Sequence, residues 1–335
     1  MRKRNGRLDS NSFFSKERLA YYETDSKCKK GSKEKIKACQ TIYSCVYYAL
    51  PGFIYLFINN YMPLPGLVLA FKKYSTKKGI WGSPWIGFKN FKYLFKTQDA
   101  WIITRNTLGY NILFIFFNVI ISVAIAIILS ELTTRWKKLY QSTILLPHFL
   151  STVIISYLVF AFLSAENGFL NNGIFPLFGI EAVSWYNEPK YWPFILVFVQ
   201  TWRSVGYSCI VYLSTILGFD REIYEASAID GASKWQQITR ITLPLLRATI
   251  IMMVLLAIGR IFYSDFGLFY QVPQRSGILL SVTQTIDTYV YRGLLERNDM
   301  PMATAAGVYQ SIIGFILVMS ANLIVRKIDP DSALF

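Results

Sequence analysis

Three charged side chains fall where charge is expensive. Arg203 lies inside the apolar run Tyr191–Leu217, and Arg260 and Asp265 lie inside the run Arg247–Phe269. At 1.5 Å per helical residue, Arg203 sits about 18 Å into its run and Arg260 about 20 Å from the cytoplasmic end of its own. An ionised group at that depth needs a counter-charge or a wet cavity. Two chemistries are therefore open. Each arginine can pair across helices and tie a bundle together, or Arg203, Arg260 and Asp265 can line a hydrated path and bind hydroxyls or carboxylates. Arg260 and Asp265 stand about 140° apart on an ideal helix, which disfavours a pair within it. Trp202, Tyr207, Tyr263 and Phe266 are close by in the sequence. Their rings can stack on sugar rings or simply pack. Two arginines at depth would suit an acidic or sulfated sugar.

Other chemistry is thinly supplied. His148 is the one histidine, beside Pro147, and is expected to be a buried helix residue. The four cysteines, Cys28, Cys39, Cys45 and Cys209, show no CxxC spacing, two in a basic tail and two in apolar helices. Neither a disulfide framework nor a metal site is expected. The phosphate-binding pattern GxxxxGK[ST] is missing, and Gly231-Ala232-Ser233-Lys234 lacks its second glycine and spacing. No catalytic residue and no cofactor is expected in this chain. A membrane enzyme acting on glycans would need paired acids or a metal cluster near one membrane face. Here Glu166, Glu181, Glu188, Asp287, Glu296 and Asp299 are scattered.

A second polar constellation is more orderly. The block Arg221–Leu246 reads REIYEASAIDGASKWQQITRITLPLL and stands between two apolar runs. Small residues (Ala226, Ser227, Ala228, Gly231, Ala232) let another surface approach its backbone. Gly231 offers a helix end or a positive φ. Ser233 can cap a second helix over Lys234–Thr242. Pro244 then opens a further helix from its first turn, where proline is tolerated. The expected shape is helix, tight turn, helix, then a span, suited to passing force along a membrane surface.

The elements that must carry these groups follow from composition. Of 335 residues, 53% are hydrophobic and only 16% charged, where soluble domains average about 25% charged. A membrane protein is expected. Six runs are long enough to cross a bilayer as helices: Thr41–Met62, Asn106–Leu132, Leu139–Leu163 with Pro147 near its start, Tyr191–Leu217, Arg247–Phe269 and Met302–Val325. Leu64–Phe71 is too short to span and reads as an interfacial or re-entrant element. An ATP-independent secondary transporter would normally show more spans and an internal repeat, and no convincing repeat occurs.

Residues 1–40 hold twelve lysines and arginines against five acids. A cytoplasmic tail held near anionic lipid is expected rather than a nucleic-acid site, and no signal-peptide cleavage site is evident. With both termini cytoplasmic, inside segments carry 21 basic residues and outside loops 12. The loop Lys72–Arg105, with eight of those twelve, pulls the other way. The outer loops are rich in tryptophan and tyrosine, the usual interface anchors.

The polar block also carries a resemblance. Glu225-Ala226-Ser227, Asp230-Gly231-Ala232 and, nine residues beyond Gly231, Ile241-Thr242-Leu243-Pro244 resemble the EAA loop of ABC-importer permeases, with Ser227 where the family has alanine. The stretches 59–91 and 259–273 look like the LplB-type polysaccharide and complex-oligosaccharide permeases, relatives of the maltose permeases. The likeness runs from about residue 40 to the C-terminus.

It implies an all-α, six-helix membrane protein of the type I importer permease fold, with the loop after the first span outside. The implied organisation is a basic tail (1–40), a first span with its outer loop (41–105), a permease core (106–328) with a coupling loop (218–246), and a short cytoplasmic end (329–335). It further implies a second permease subunit, a paralogue, and two ATPase subunits that hold ATP and magnesium. An extracytoplasmic binding protein or lipoprotein would deliver the sugar. By position Glu225 would pair with a basic ATPase residue and Gly231 would be the turn between coupling helices. Ala226, Ser227, Asp230, Ala232, Ile241, Leu243 and Pro244 complete the motif.

Overall fold

The computed structural model describes residues 46–132 and 134–328. The basic tail, Cys28, Cys39, Cys45, the start of the expected first span and the C-terminal residues 329–335 lie outside them. Among the described residues there are helices and turns but no β-strand, only a lone bridge between Lys72 and Trp85.

Five helical stretches are long and apolar enough to cross a membrane: Val46–Phe71, Gln98–Glu131, Pro189–Leu217, Lys234–Ile258 and Met300–Lys327. A sixth is a bent pair, Trp136–Phe149 and Thr152–Leu163, meeting at 96°. The chain divides at Pro65 into two compact units. In the first, helix α1 (46–61) ends in a π-helical turn, Phe57–Tyr61, and the amides of Asn59 and Asn60 donate back to the carbonyls of Tyr55 and Leu56. Leu64–Phe71, expected at an interface, is a 3-10 helix.

The second unit is built around α3 (Gln98–Glu131) and α6 (Trp192–Leu217), following the short α2 (Lys89–Lys96). These two long helices run side by side in the same direction. Near their starts Tyr110 and Phe114 pack with Trp192, Leu196 and Val199. Near their ends Val123, Ala126 and Leu129 pack with Cys209, Leu213 and Ile216. Small residues line the seam, among them Ser122, Ala126 and Cys209, all but fully buried. Lipid offers no hydrophobic drive between helices, so such close backbone approach and a few interhelical hydrogen bonds supply the association. Asn118 donates to Ser204 Oγ at 2.7 Å and Ser122 Oγ to the Val205 carbonyl at 3.3 Å.

Two parallel helices require the chain between them to cross back. That return is made by α4 (Thr134–Leu145) and α5 (Thr152–Leu163). The sequence predicts one straight span here, and the structure breaks it. Pro147 cannot donate to the helix and disfavours helical backbone before it. Leu146–Phe149 tightens into a 3-10 turn, and Ser151 caps α5 by accepting from Ile154 N–H. His148 is therefore exposed on this turn, stacked on Tyr207 at 5.2 Å, instead of buried in a helix. The broken span leans its backbone directly on α6 at Gly206, where an added Cβ would collide with the Ile144 carbonyl. Gly206→Ala is expected to lower the melting temperature of the purified protein by several degrees, overpacking costing about 1–3 kcal/mol. Gly109→Ala, whose Cβ meets nothing within 4 Å, should be neutral.

Helix α7 (Arg221–Ile229) follows α6, and α8 (Lys234–Ile258) then runs antiparallel to α6. Leu246 packs with Ile216 and Leu129 at one end, while just past the other the Ile261 carbonyl meets Asn111. Beyond α8 the chain makes α9 (Phe266–Gln271) and α10 (Ile286–Leu295) at the end where α3 begins, before α11 (Met300–Ile328) returns alongside α3. There Met302 and Ala306 pack on Ala100 and Ile103, and Tyr309 hydrogen-bonds Thr104 at 3.0 Å.

Candidate functional site

Two sites stand at opposite ends of α8. At its far end is a cavity of about 460 Å³ walled by α3, α6, α8 and the segment after α8. Helix α6 contributes Gln200, Ser204, Ser208 and Tyr212, a four-residue repeat that keeps one face toward the void. Asn111, Asn118, Arg260, Tyr263, Ser264 and Asp265 add to the polar lining.

The sequence predicts an unbroken helix through Phe269, and the structure ends it at Ile258. Gly259 closes α8, and the next residues turn through short backbone bonds such as Arg260 N–H to the Ala257 carbonyl and Tyr263 N–H to the Arg260 carbonyl. Irregular backbone at membrane depth survives only where protein or a wet cavity satisfies it. Here side-chain amides do so. Asn111 Nδ2 donates to the carbonyls of Ile261 (2.9 Å) and Tyr263 (3.0 Å), and Gln310 Nε2 to that of Phe262 (2.8 Å). Asp287 accepts from Ser264 N–H and Ser264 Oγ, each at 2.7 Å, and from Gln310 at 3.1 Å. Asp287 is thus a buttress of this break and not one more scattered loop acid.

On this framework Arg203 and Asp265 pair across helices, Nη1 to Oδ2 at 2.6 Å, with 25% and 30% of their side chains exposed. Asp265 also caps α9, its other carboxylate oxygen accepting from Leu268 N–H. The helical angle expected between Arg260 and Asp265 does not apply, because the helix stops before both. Among the described residues the Arg260 side chain meets no acid.

Of the four aromatic candidates, Tyr263 lines the cavity. Trp202 lies two positions from Gln200, on another side of α6, in an apolar groove with Phe162 and Phe198. Tyr207 carries His148, and Phe266 stacks on Tyr270 at 4.9 Å and against Tyr291.

At the near end of α8 is a hairpin. Asp220 caps α7 by accepting from Glu222 N–H. The helix ends with Gly231 at φ 80, Ala232 N–H reaching the Ser227 carbonyl and Gly231 N–H the Ala228 carbonyl. That pair of bonds is the Schellman motif, which needs a left-handed residue where Gly231 stands. Ser233 and Gln236 then cap the second arm reciprocally. The arm does not stop at Leu243-Pro244 as the sequence predicts. It runs without interruption into the span, because the π-helical turn Ile238–Thr242 widens the coil ahead of the proline ring.

The arms are tied together through Gln237, which the sequence did not single out. Gln237 Nε2 donates to Ser227 Oγ at 2.9 Å and to the Tyr224 carbonyl at 3.3 Å, and Tyr224 hydroxyl meets Thr242 Oγ1 at 3.0 Å. Ser227, the departure from alanine, is the acceptor that locks the hairpin. Lys234 reaches Glu131 at the end of α3, 2.9 Å away. Glu225, Ala226 and Asp230 stay exposed, as do Ile223, Ile229 and Trp235. Ala232, Ile241 and Leu243 are half-buried within the hairpin and its junction with the span. Asn111, Gln310 and Gln237 were findable by the rule that selected the arginines, polar groups inside apolar or ordered helices.

No cluster of three or more His, Cys, Asp or Glu able to hold a metal occurs among the described residues. Residues 100–330 match the family model described as binding-protein-dependent transport system inner membrane component. Protein LplB of Bacillus subtilis (strain 168) is 33% identical over 283 residues, covering 84% of this chain and 88% of the relative. The polygalacturonan/rhamnogalacturonan transport system permease protein YteP of the same organism is 34% identical over 286 residues, covering 84% and 87%. Among solved structures, a bacterial ABC transporter involved in the import of the acidic polysaccharide alginate contains a chain of similar fold. It superposes with a TM-score of 0.79 at 31% identity, over 88% of this chain and 98% of that one. A chain of a bacterial alginate ABC transporter in complex with an alginate pentasaccharide-bound periplasmic protein superposes with a TM-score of 0.78 at 31% identity, over 88% of this chain and 97% of that one.

Proposed function

The chain belongs to the family of binding-protein-dependent transport system inner membrane components, and from that premise we propose that it moves an oligosaccharide or polysaccharide fragment handed over by an extracytoplasmic binding protein or lipoprotein. It works as one of two permease subunits, paired with a paralogue, and is powered by two separate ATPase subunits that hold ATP and magnesium. Both termini and the hairpin Arg221–Gln237 face the cytoplasm, and the segment 259–299 faces outward. The basic tail (1–40) lies against anionic lipid.

The observation that carries this reading is the hairpin's continuity with a span. Glu225, Ala226 and Asp230 present an exposed helical surface, and the second arm is the first turn of α8. A helix laid in a groove of an ATPase can then move a span as one body. Glu225 supplies the charge for a basic ATPase residue, and Gly231 sets the angle between the arms. At the other end, the cavity of Gln200, Ser204, Tyr263 and Asp265 offers hydroxyl-binding groups on the path of the sugar.

Affinity purification of the chain from its own membranes tests this. An ATPase and a second permease should co-purify, and uptake into vesicles should require ATP. A chain that purifies alone and transports without ATP overturns the reading.

A further inference from the structure

Charge in the cavity is not balanced. Its charged lining groups are Arg260 and Asp265. Asp265 is already matched by Arg203 at 2.6 Å. What remains is one guanidinium, Arg260, exposed to the void, with no acid opposite it among the described residues. An unmatched guanidinium at membrane depth is costly until an anion arrives. Its position is also held firmly. The turn that carries it is pinned by Asn111, Gln310 and Asp287 through the bonds described above, so its backbone is set before any ligand binds. Preorganisation of this kind is what makes a charged contact contribute to binding.

The neutral lining points the same way. Gln200 lines the cavity, but its Oε1 is buried away from a ligand's reach. Ser264 is already committed to Asp287 and Thr285. The groups left to a ligand are thus the Arg260 cation and the hydroxyls of Ser208 and Tyr263, a set that suits a molecule bearing both a carboxylate and hydroxyls.

From this we infer that the cavity selects acidic sugars, with Arg260 binding a uronate carboxylate while Arg203 and Asp265 serve as a structural pair. The inference rests on the oligosaccharide reading above and adds the charge class and the residue that reads it. A planar carboxylate meets the guanidinium fork through two parallel hydrogen bonds, a geometry lysine cannot copy.

The test uses cells carrying the complete importer. They receive a mixed pool of short galacturonate and guluronate oligomers together with the carboxyl-reduced neutral counterparts of each, and accumulated sugars are identified by mass spectrometry. Wild type should accumulate the acidic members. Arg260→Gln should reduce their uptake by about tenfold to hundredfold, the loss of one charged hydrogen-bonding contact. The ratio of acidic to neutral uptake should fall, with subunit assembly unchanged, and Arg260→Lys should recover part of the loss. A merely structural arginine would lower both classes together, and that outcome overturns the inference. So does preferential uptake of the neutral members by wild type, or acidic uptake by Arg260→Gln at the wild-type rate. If wild type accumulates no member of either class in an ATP-dependent way, the oligosaccharide reading itself fails.

Discussion

Gly231→Val is expected to cut sugar uptake by more than about tenfold while the protein still inserts in the membrane and folds its spans. The reason is backbone and not space. A Cβ at Gly231 would meet nothing within 4 Å, yet the residue sits at φ 80, where a β-branched side chain is strained by its own backbone. Relieving the strain means giving up the two bonds that end α7, Ala232 to Ser227 and Gly231 to Ala228. The arms then change angle, and the Gln237 bridge to Ser227 cannot hold. Since the second arm is also the start of a span, the hairpin surface is lost while the span stays in place. Uptake should fall by more than about tenfold, and less ATPase should co-purify. Gly231→Asn is the matched control, because asparagine tolerates the left-handed region. It should retain most uptake. Equal activity in the valine variant would remove the turn from coupling.

Asp265→Asn is expected to destabilise the assembled protein more than any substitution at the hairpin surface. Asparagine keeps the cap on α9, since its side-chain oxygen can still accept from Leu268 N–H. The charge alone is lost. Arg203 and Arg260 are then both unmatched in a low-dielectric setting. The expected cost is about 3 kcal/mol, the lower end for a broken buried pair, because a quarter or more of each partner is still exposed. Thermal unfolding of the purified complex should show a clear drop in midpoint. Joining it with Arg203→Gln removes the orphaned cation and should restore most of the midpoint. A double variant no better than Asp265→Asn would show that the pair is not what holds α6 to the break.

The hairpin was legible in the sequence almost residue by residue. Its signals are local: a glycine for the left-handed turn, Ser233 for the cap, small residues for close approach. The spans were legible as apolar runs, because a bilayer imposes length and composition on each separately. What escaped was set by distant partners. The end of α8 at Ile258 has no local signature beyond Gly259, since the apolar composition continues. It depends on amides from Asn111 and Gln310, one on α3 and one on α11. The 96° bend at Pro147 was half-visible in the proline, but the tolerance for it comes from Gly206 on another helix. The Arg203–Asp265 pair joins residues 62 apart, and no periodicity could announce it. Among the aromatics, position along the chain failed to say which side of α6 a ring faces, so Trp202 and Tyr207 were grouped with Tyr263 although they point elsewhere.

The unbroken course of α8 has a mechanical consequence. Its 25 residues make a rod of about 38 Å. One tip is the arm of the hairpin and the other leads directly to Arg260. If the rod pivots on its middle, a tilt of only 10° carries either tip through about 3 Å, in opposite directions. That is the width of a hydrogen bond, enough to break the bonds by which Asn111 and Gln310 pin the turn that carries Arg260, so that a guanidinium set for a carboxylate in one tilt would lose its placement in the other. A small stroke at the hairpin would thereby become grip or release at the cavity.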